Sequence, residues 1–88
     1  MKVLIMNQRD GRMRLVTEII EFIEAQPYDP EVCAKYVYVK ALDARVYRYE
    51  DRRLNTLLDT IGGMSAGEEF YYSKVELLEM LKSYLLEA

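Results

Sequence analysis

Four of the chain's eight tyrosines and six of its twelve basic residues fall within residues 35–53, KYVYVKALDARVYRYEDRR. Phenol rings beside lysines and arginines suit contact rather than bond-breaking. The rings offer flat apolar area with a polar tip, and the cations offer charge-assisted hydrogen bonds to carboxylate or phosphate. Tyrosine and valine alternate over residues 36–39, which is the period of a strand. A β-hairpin over residues 35–50, turning at Asp43-Ala44, sets Tyr38 opposite Tyr49 and Lys40 opposite Tyr47. Directly opposed residues share a face. Tyr36, Tyr38, Lys40, Leu42, Arg45, Tyr47 and Tyr49 then line one side, and Val37, Val39, Ala41 and Val46 the other. The valine side is expected to face the core. The tyrosine side, with Arg52 and Arg53 just beyond it, is the expected partner-binding surface.

Residues that could carry catalysis are few. Glu68, Glu69, Glu76 and Glu79 gather in the last third of the chain, but nothing around them would split their acidities into an acid and a base. Cys33 would need an activating base, and the chain contains no histidine. A zinc site would have to rest on carboxylates. Gly62-Gly63-Met64-Ser65-Ala66-Gly67 is glycine-rich but lacks the Gly-Lys-Ser/Thr that closes a phosphate loop. We therefore expect no enzyme activity, no cofactor and no metal.

Binding remains. The leading expectation is a small non-enzymatic regulator or inhibitor that engages another protein, as a homodimer, through the tyrosine face; tyrosine and arginine are frequent interface hot spots. The same residues could instead stack bases and reach phosphates in a nucleic-acid-binding regulator. Against that stands a net charge of −3, because dedicated nucleic-acid binders are usually basic. The charge is uneven: residues 1–34 carry −2, residues 35–53 carry +3 and residues 54–88 carry −4. The acidic segments admit a third reading, a viral or mobile-element inhibitor that imitates nucleic-acid charge.

These surfaces need a scaffold. Eighty-eight residues, 51% of them apolar and 31% charged, suit one globular domain over residues 1–88. The longest apolar run is residues 3–6, too short for a membrane span, and the chain opens without a leader pattern. With a single cysteine, this places the chain in the cytoplasm. Residues 2–7 are rich in branched apolar side chains and Asp10-Gly11 is a hairpin signal, so residues 12–16 are expected to return as a second strand. A rival reading makes residues 12–26 one continuous helix, since Leu15, Val16, Ile19, Ile20 and Ile23 keep a helical period. Pro27 ends it either way, and residues 27–30 read as a loop.

Leu54, Leu57, Leu58 and Ile61 mark a helix over residues 51–61, stopped by left-handed glycine at Gly62-Gly63. Residues 68–72 read as a short strand. Ser73 and Glu76 form a capping box for a last helix from Lys74 to about Glu87 with Leu77, Leu78, Leu81 and Leu85 inward. A shift of 33 residues overlays Lys2, Asp10 and Arg12 on Lys35, Asp43 and Arg45, a faint echo of duplication. The expected order is ββα-ββα-βα. This is an α+β fold: a mostly antiparallel sheet of about five strands covered by about three helices.

Overall fold

Among the described residues the chain forms four α-helices. The computed structural model describes residues 2–45 and 49–87, with side chains from Asp10 onward. Its helices are α1 (Lys2–Glu24), α2 (Pro30–Asp43), α3 (Arg52–Gly62) and α4 (Lys74–Glu87), with 3₁₀ turns at Gly63–Ala66 and Glu68–Phe70 joining the last two. No strand occurs among the described residues. This overturns the α+β expectation, both hairpins and the strand over residues 68–72. The 33-residue echo falls on helix rather than strand: Lys2, Asp10 and Arg12 lie in α1, Lys35 and Asp43 in α2, and Arg45 just beyond it.

The first hairpin fails because packing overrides a local turn signal. Glycine inside a helix costs about 1 kcal/mol relative to alanine. Leu15, Val16, Ile19, Ile20 and Ile23 recur at helical spacing and are all buried, and burying an aliphatic side chain contributes about 1.5–3 kcal/mol. The helix therefore runs through Asp10-Gly11. Gly11 also has a use there: a Cβ at this position would lie 2.7 Å from the Tyr49 hydroxyl.

The second hairpin fails at its start. Asp29 caps α2, its Oδ1 accepting from the Glu31 and Val32 amides at 3.0 and 3.3 Å. Pro30 follows at the first helical position, where its missing N–H is no loss. Asp29-Pro30-Glu31 is thus a helix start rather than a loop. Cys33, Ala34 and Val37 turn inward.

Asp51 caps α3 by accepting the Leu54 amide at 3.0 Å, and Leu54, Leu58 and Ile61 are buried. Gly62 and Gly63 both keep right-handed backbone, so the left-handed stop expected there is absent. The chain tightens into 3₁₀ geometry and tucks Met64 into the core. The special conformation falls at Gly67, with φ 156° and ψ 163°, a region open essentially to glycine alone. A Cβ there would also meet a Glu69 carboxylate oxygen at 2.8 Å. Gly67→Ala should lower stability by about 1–3 kcal/mol, read as a shifted urea midpoint at unchanged slope; an unaltered midpoint would show the connection can re-form without glycine.

The capping box forms as expected. The Ser73 amide donates to Glu76 Oε1 at 2.8 Å, and the Glu76 amide to Ser73 Oγ at 3.1 Å. Leu77, Leu81 and Tyr84 form the buried stripe of α4, while Leu78 and Leu85 are half-buried.

The helices pack as a ring: α1 on α4, α4 on α3, α3 on α2 and α2 on α1. Helices α2 and α4 are therefore diagonal, and their outer faces point away from one another. One end of the ring is tied by Tyr28, whose hydroxyl donates to the Tyr72 carbonyl at 2.6 Å beside Met64 Sδ, which also accepts the Tyr72 amide at 3.3 Å. Burial first, then the nearby Cys33, Asp29 and Glu76, pushes the Tyr28 hydroxyl up to about 12.

Candidate functional site

A helix turns about 100° per residue, so it cannot collect a 36, 38, 40 alternation on one side. The expected tyrosine face is dispersed. Tyr36 lies flat against Phe22 of α1, ring centroids 3.8 Å apart and planes 5° from parallel. Tyr38 points outward. Lys40 pairs with Glu18 at 2.6 Å. Arg45 is exposed on the turn that closes α2, where Ala44 and Arg45 amides donate to the Lys40 and Leu42 carbonyls. Tyr49 is half-buried against α1 at Gly11. Tyr47 and its neighbours Val46 and Arg48 lie outside the described residues. Arg52 and Arg53 begin α3 and border an open groove between α3 and α4.

What takes the place of that face is the outer side of α2. Val32, Lys35, Val39 and Leu42 follow the i, i+3, i+7, i+10 spacing that aligns side chains in one stripe. Tyr38 flanks it, one turn before Leu42. This stripe stands opposite the inward Cys33, Ala34 and Val37. The exposures are large for apolar side chains in a small protein: Val32 50%, Tyr38 63%, Val39 46% and Leu42 58%. A surface helix ordinarily sets its apolar stripe against polar residues on the other side. Helix α2 is apolar on both sides and fills only one of them from its own fold. Of the seven expected contact residues that are described, Tyr38 lies beside this stripe and Arg45 just past its end. Val32, Val39 and Leu42 were missed as its anchors; the signal that finds them is Asp29-Pro30 as a helix cap and first residue, from which the helical period follows.

The outer side of α4 is a weaker counterpart. Val75 and Leu86 are exposed, but Glu79 and Lys82 interrupt the stripe, and Lys82 reaches across to Glu24 at 3.3 Å. The groove between α3 and α4, about 590 Å³, has Leu57, Met80 and Tyr84 among its lining residues and Arg52 and Arg53 at its edge. Arg53 is already engaged there, paired with Glu87 and lying 5.8 Å over the Tyr84 ring.

Next to Arg52, which borders the groove, Asp51 makes several polar contacts at once. Asp51 Oδ1 caps α3, and Oδ2 accepts the Tyr84 hydroxyl at 2.6 Å and lies 3.4 Å from Arg12 Nε. One carboxylate thus joins α1, α3 and α4. Burial pushes its acidity the other way, but the hydrogen bonds from Tyr84 and the Leu54 amide, together with the Arg12 charge, prevail and hold the carboxyl below its ordinary range. Tyr84 is raised by burial and by the same Asp51 bond. These groups clasp three helices together, and Arg12 Nε, buried beside the carboxylate, makes no hydrogen bond of its own.

The remaining candidates stay apart. Glu68 and Glu69 are exposed on the 3₁₀ turn, and Glu76 is engaged by its cap. Cys33 is buried, and burial raises its thiol to about 11, away from the thiolate a nucleophile needs. Among the described residues no three histidine, cysteine, aspartate or glutamate side chains converge as metal ligands, and no helix is long and apolar enough to cross a membrane. Comparison of the chain with family models, with curated proteins and with solved structures yields no match.

Proposed function

We propose that this chain is a small non-enzymatic regulator that works by binding another protein through the outward face of α2. The single observation that supports this most is the exposed stripe Val32, Val39 and Leu42 with Tyr38 beside it, on a helix whose opposite side already fills the core. Each of these side chains is about half covered, so completing its burial contributes on the order of 1 kcal/mol. Together they supply the apolar centre of an interface, with Lys35 as a polar element that disfavours wrong registers. A cytoplasmic setting is in keeping with Cys33, a free thiol. The nucleic-acid alternative is less well supported, because Tyr36 packs inside and Lys40 and Arg53 have carboxylate partners.

Capture from nuclease-treated extract of the producing cells, with wild type and Leu42→Asp as paired baits, tests the reading. We expect a protein retained by wild type and lost by the variant, with both baits equally helical by circular dichroism. Equal recovery on both baits, or recovery of nucleic acid alone from untreated extract, overturns it.

A further inference from the structure

Resting on that reading, we infer that the occupant of the α2 stripe is a second copy of the chain, laid antiparallel about a two-fold axis that passes beside Tyr38. In a two-fold pair the same patch serves both sides, so the stripe must complement itself. Antiparallel seating that sets Val32 against the partner's Leu42 fixes everything else. Val39 then lies against the partner's Lys35, whose methylene stem covers it while the ammonium reaches the rim. Tyr38 meets the partner's Tyr38 across the axis. On the same flank, Glu31 faces the partner's Arg45.

The charges select this arrangement. Glu31 is exposed at the start of α2 and accepts the Tyr71 hydroxyl at 2.7 Å, leaving its second oxygen open. Arg45 is exposed just past the end of α2, where its backbone turns left-handed (φ 52°), and no ion pair of Arg45 forms among the described residues. Antiparallel pairing brings these opposite charges together twice, once on each side of the axis. Parallel pairing would set Lys35 against the partner's Lys35 at the centre of the seam and would leave Glu31 and the partner's Arg45 at opposite ends of it. On the far flank Asp43 comes nearest the partner's Asp29, whose carboxylate is turned onto its own helix end. The stripe from Val32 to Leu42 spans about 15 Å of helix, a small contact of the transient, exchanging class.

Sedimentation equilibrium of the full chain, from low micromolar to high micromolar concentration, tests this. Wild type should pass reversibly from monomer to dimer. Glu31→Arg and Arg45→Glu should each weaken the dimer about tenfold, since either one turns both symmetric pairs repulsive, and the double variant should recover most of the loss. Arg45 lies outside α2, so Arg45→Glu carries the test even if Glu31→Arg frays the helix. A monomer at every concentration, or a dimer indifferent to the single reversals, overturns the inference. Val39→Asp separates it from the broader reading. If wild type is monomeric yet a different protein binds it and not Val39→Asp, the self-pairing fails and the binding face stands; if Val39→Asp changes neither association, both fail.

Discussion

Aspartate in place of Val37 should unfold the chain, whereas aspartate in place of Val39, two residues on, should leave it folded. Val37 is completely buried and Val39 is 46% exposed. An ionised carboxylate without a partner in the core costs several kcal/mol even after the surroundings relax. Small domains have total stabilities starting at about 5 kcal/mol, so Val37→Asp removes most or all of the reserve. At Val39 the carboxylate remains in water, and the change should stay within about 1 kcal/mol. Urea unfolding followed by far-UV circular dichroism reads both. The pair is decisive because a hairpin would turn both valines to the core, while a helix places them about 200° apart around its axis. Equal damage at the two positions would contradict α2 itself.

Asp51→Ala should cost on the order of 2–4 kcal/mol, combining a lost helix cap of about 1 kcal/mol with a Tyr84 hydroxyl left without its acceptor and an Arg12 guanidinium left without its counter-charge. Asp51→Asn keeps a capping oxygen and should lose less. The same carboxylate gives the protein an acid sensitivity whose sign is fixed. Its folded-state acidity lies below the ordinary value, so its contribution is complete above the unfolded carboxyl's titration near 3.9 and disappears as pH falls through the folded value. The thermal stability of wild type should therefore fall as pH drops below about 4, and the loss should be smaller in Asp51→Asn. Parallel pH profiles for the two would remove Asp51 from the account.

The parts of this fold that were legible in the sequence are those where the local signal and the packing agree. Ser73 and Glu76 announce α4, and Leu54, Leu58 and Ile61 announce α3, because cap and apolar period point the same way. The misread parts are those where they conflict. Tyr36-Val37-Tyr38-Val39 has the composition and alternation of a strand, and Asp10-Gly11 has the chemistry of a turn. Both are carried in helices because the wider spacing of Leu15, Val16, Ile19, Cys33 and Val37 buries more apolar surface that way. The expected contact surface was tied to the strand period, so it dissolved with it: Tyr36 went to Phe22, Lys40 to Glu18, Tyr49 to Gly11. Tyr38 and Arg45 kept their exposure because they happen to lie on or beside the outer side of α2.

The Tyr28 tie and the Asp51 clasp sit at opposite ends of α3, one beside Met64 where that helix has ended and the other at the residue that caps its start. Each joins elements that are distant in sequence, so opening either end separates more than one helix from the core. Backbone amide protons in the middle of all four helices should then trade with deuterium at a common slow rate set by whole-molecule opening, rather than in a staggered order of separate segments.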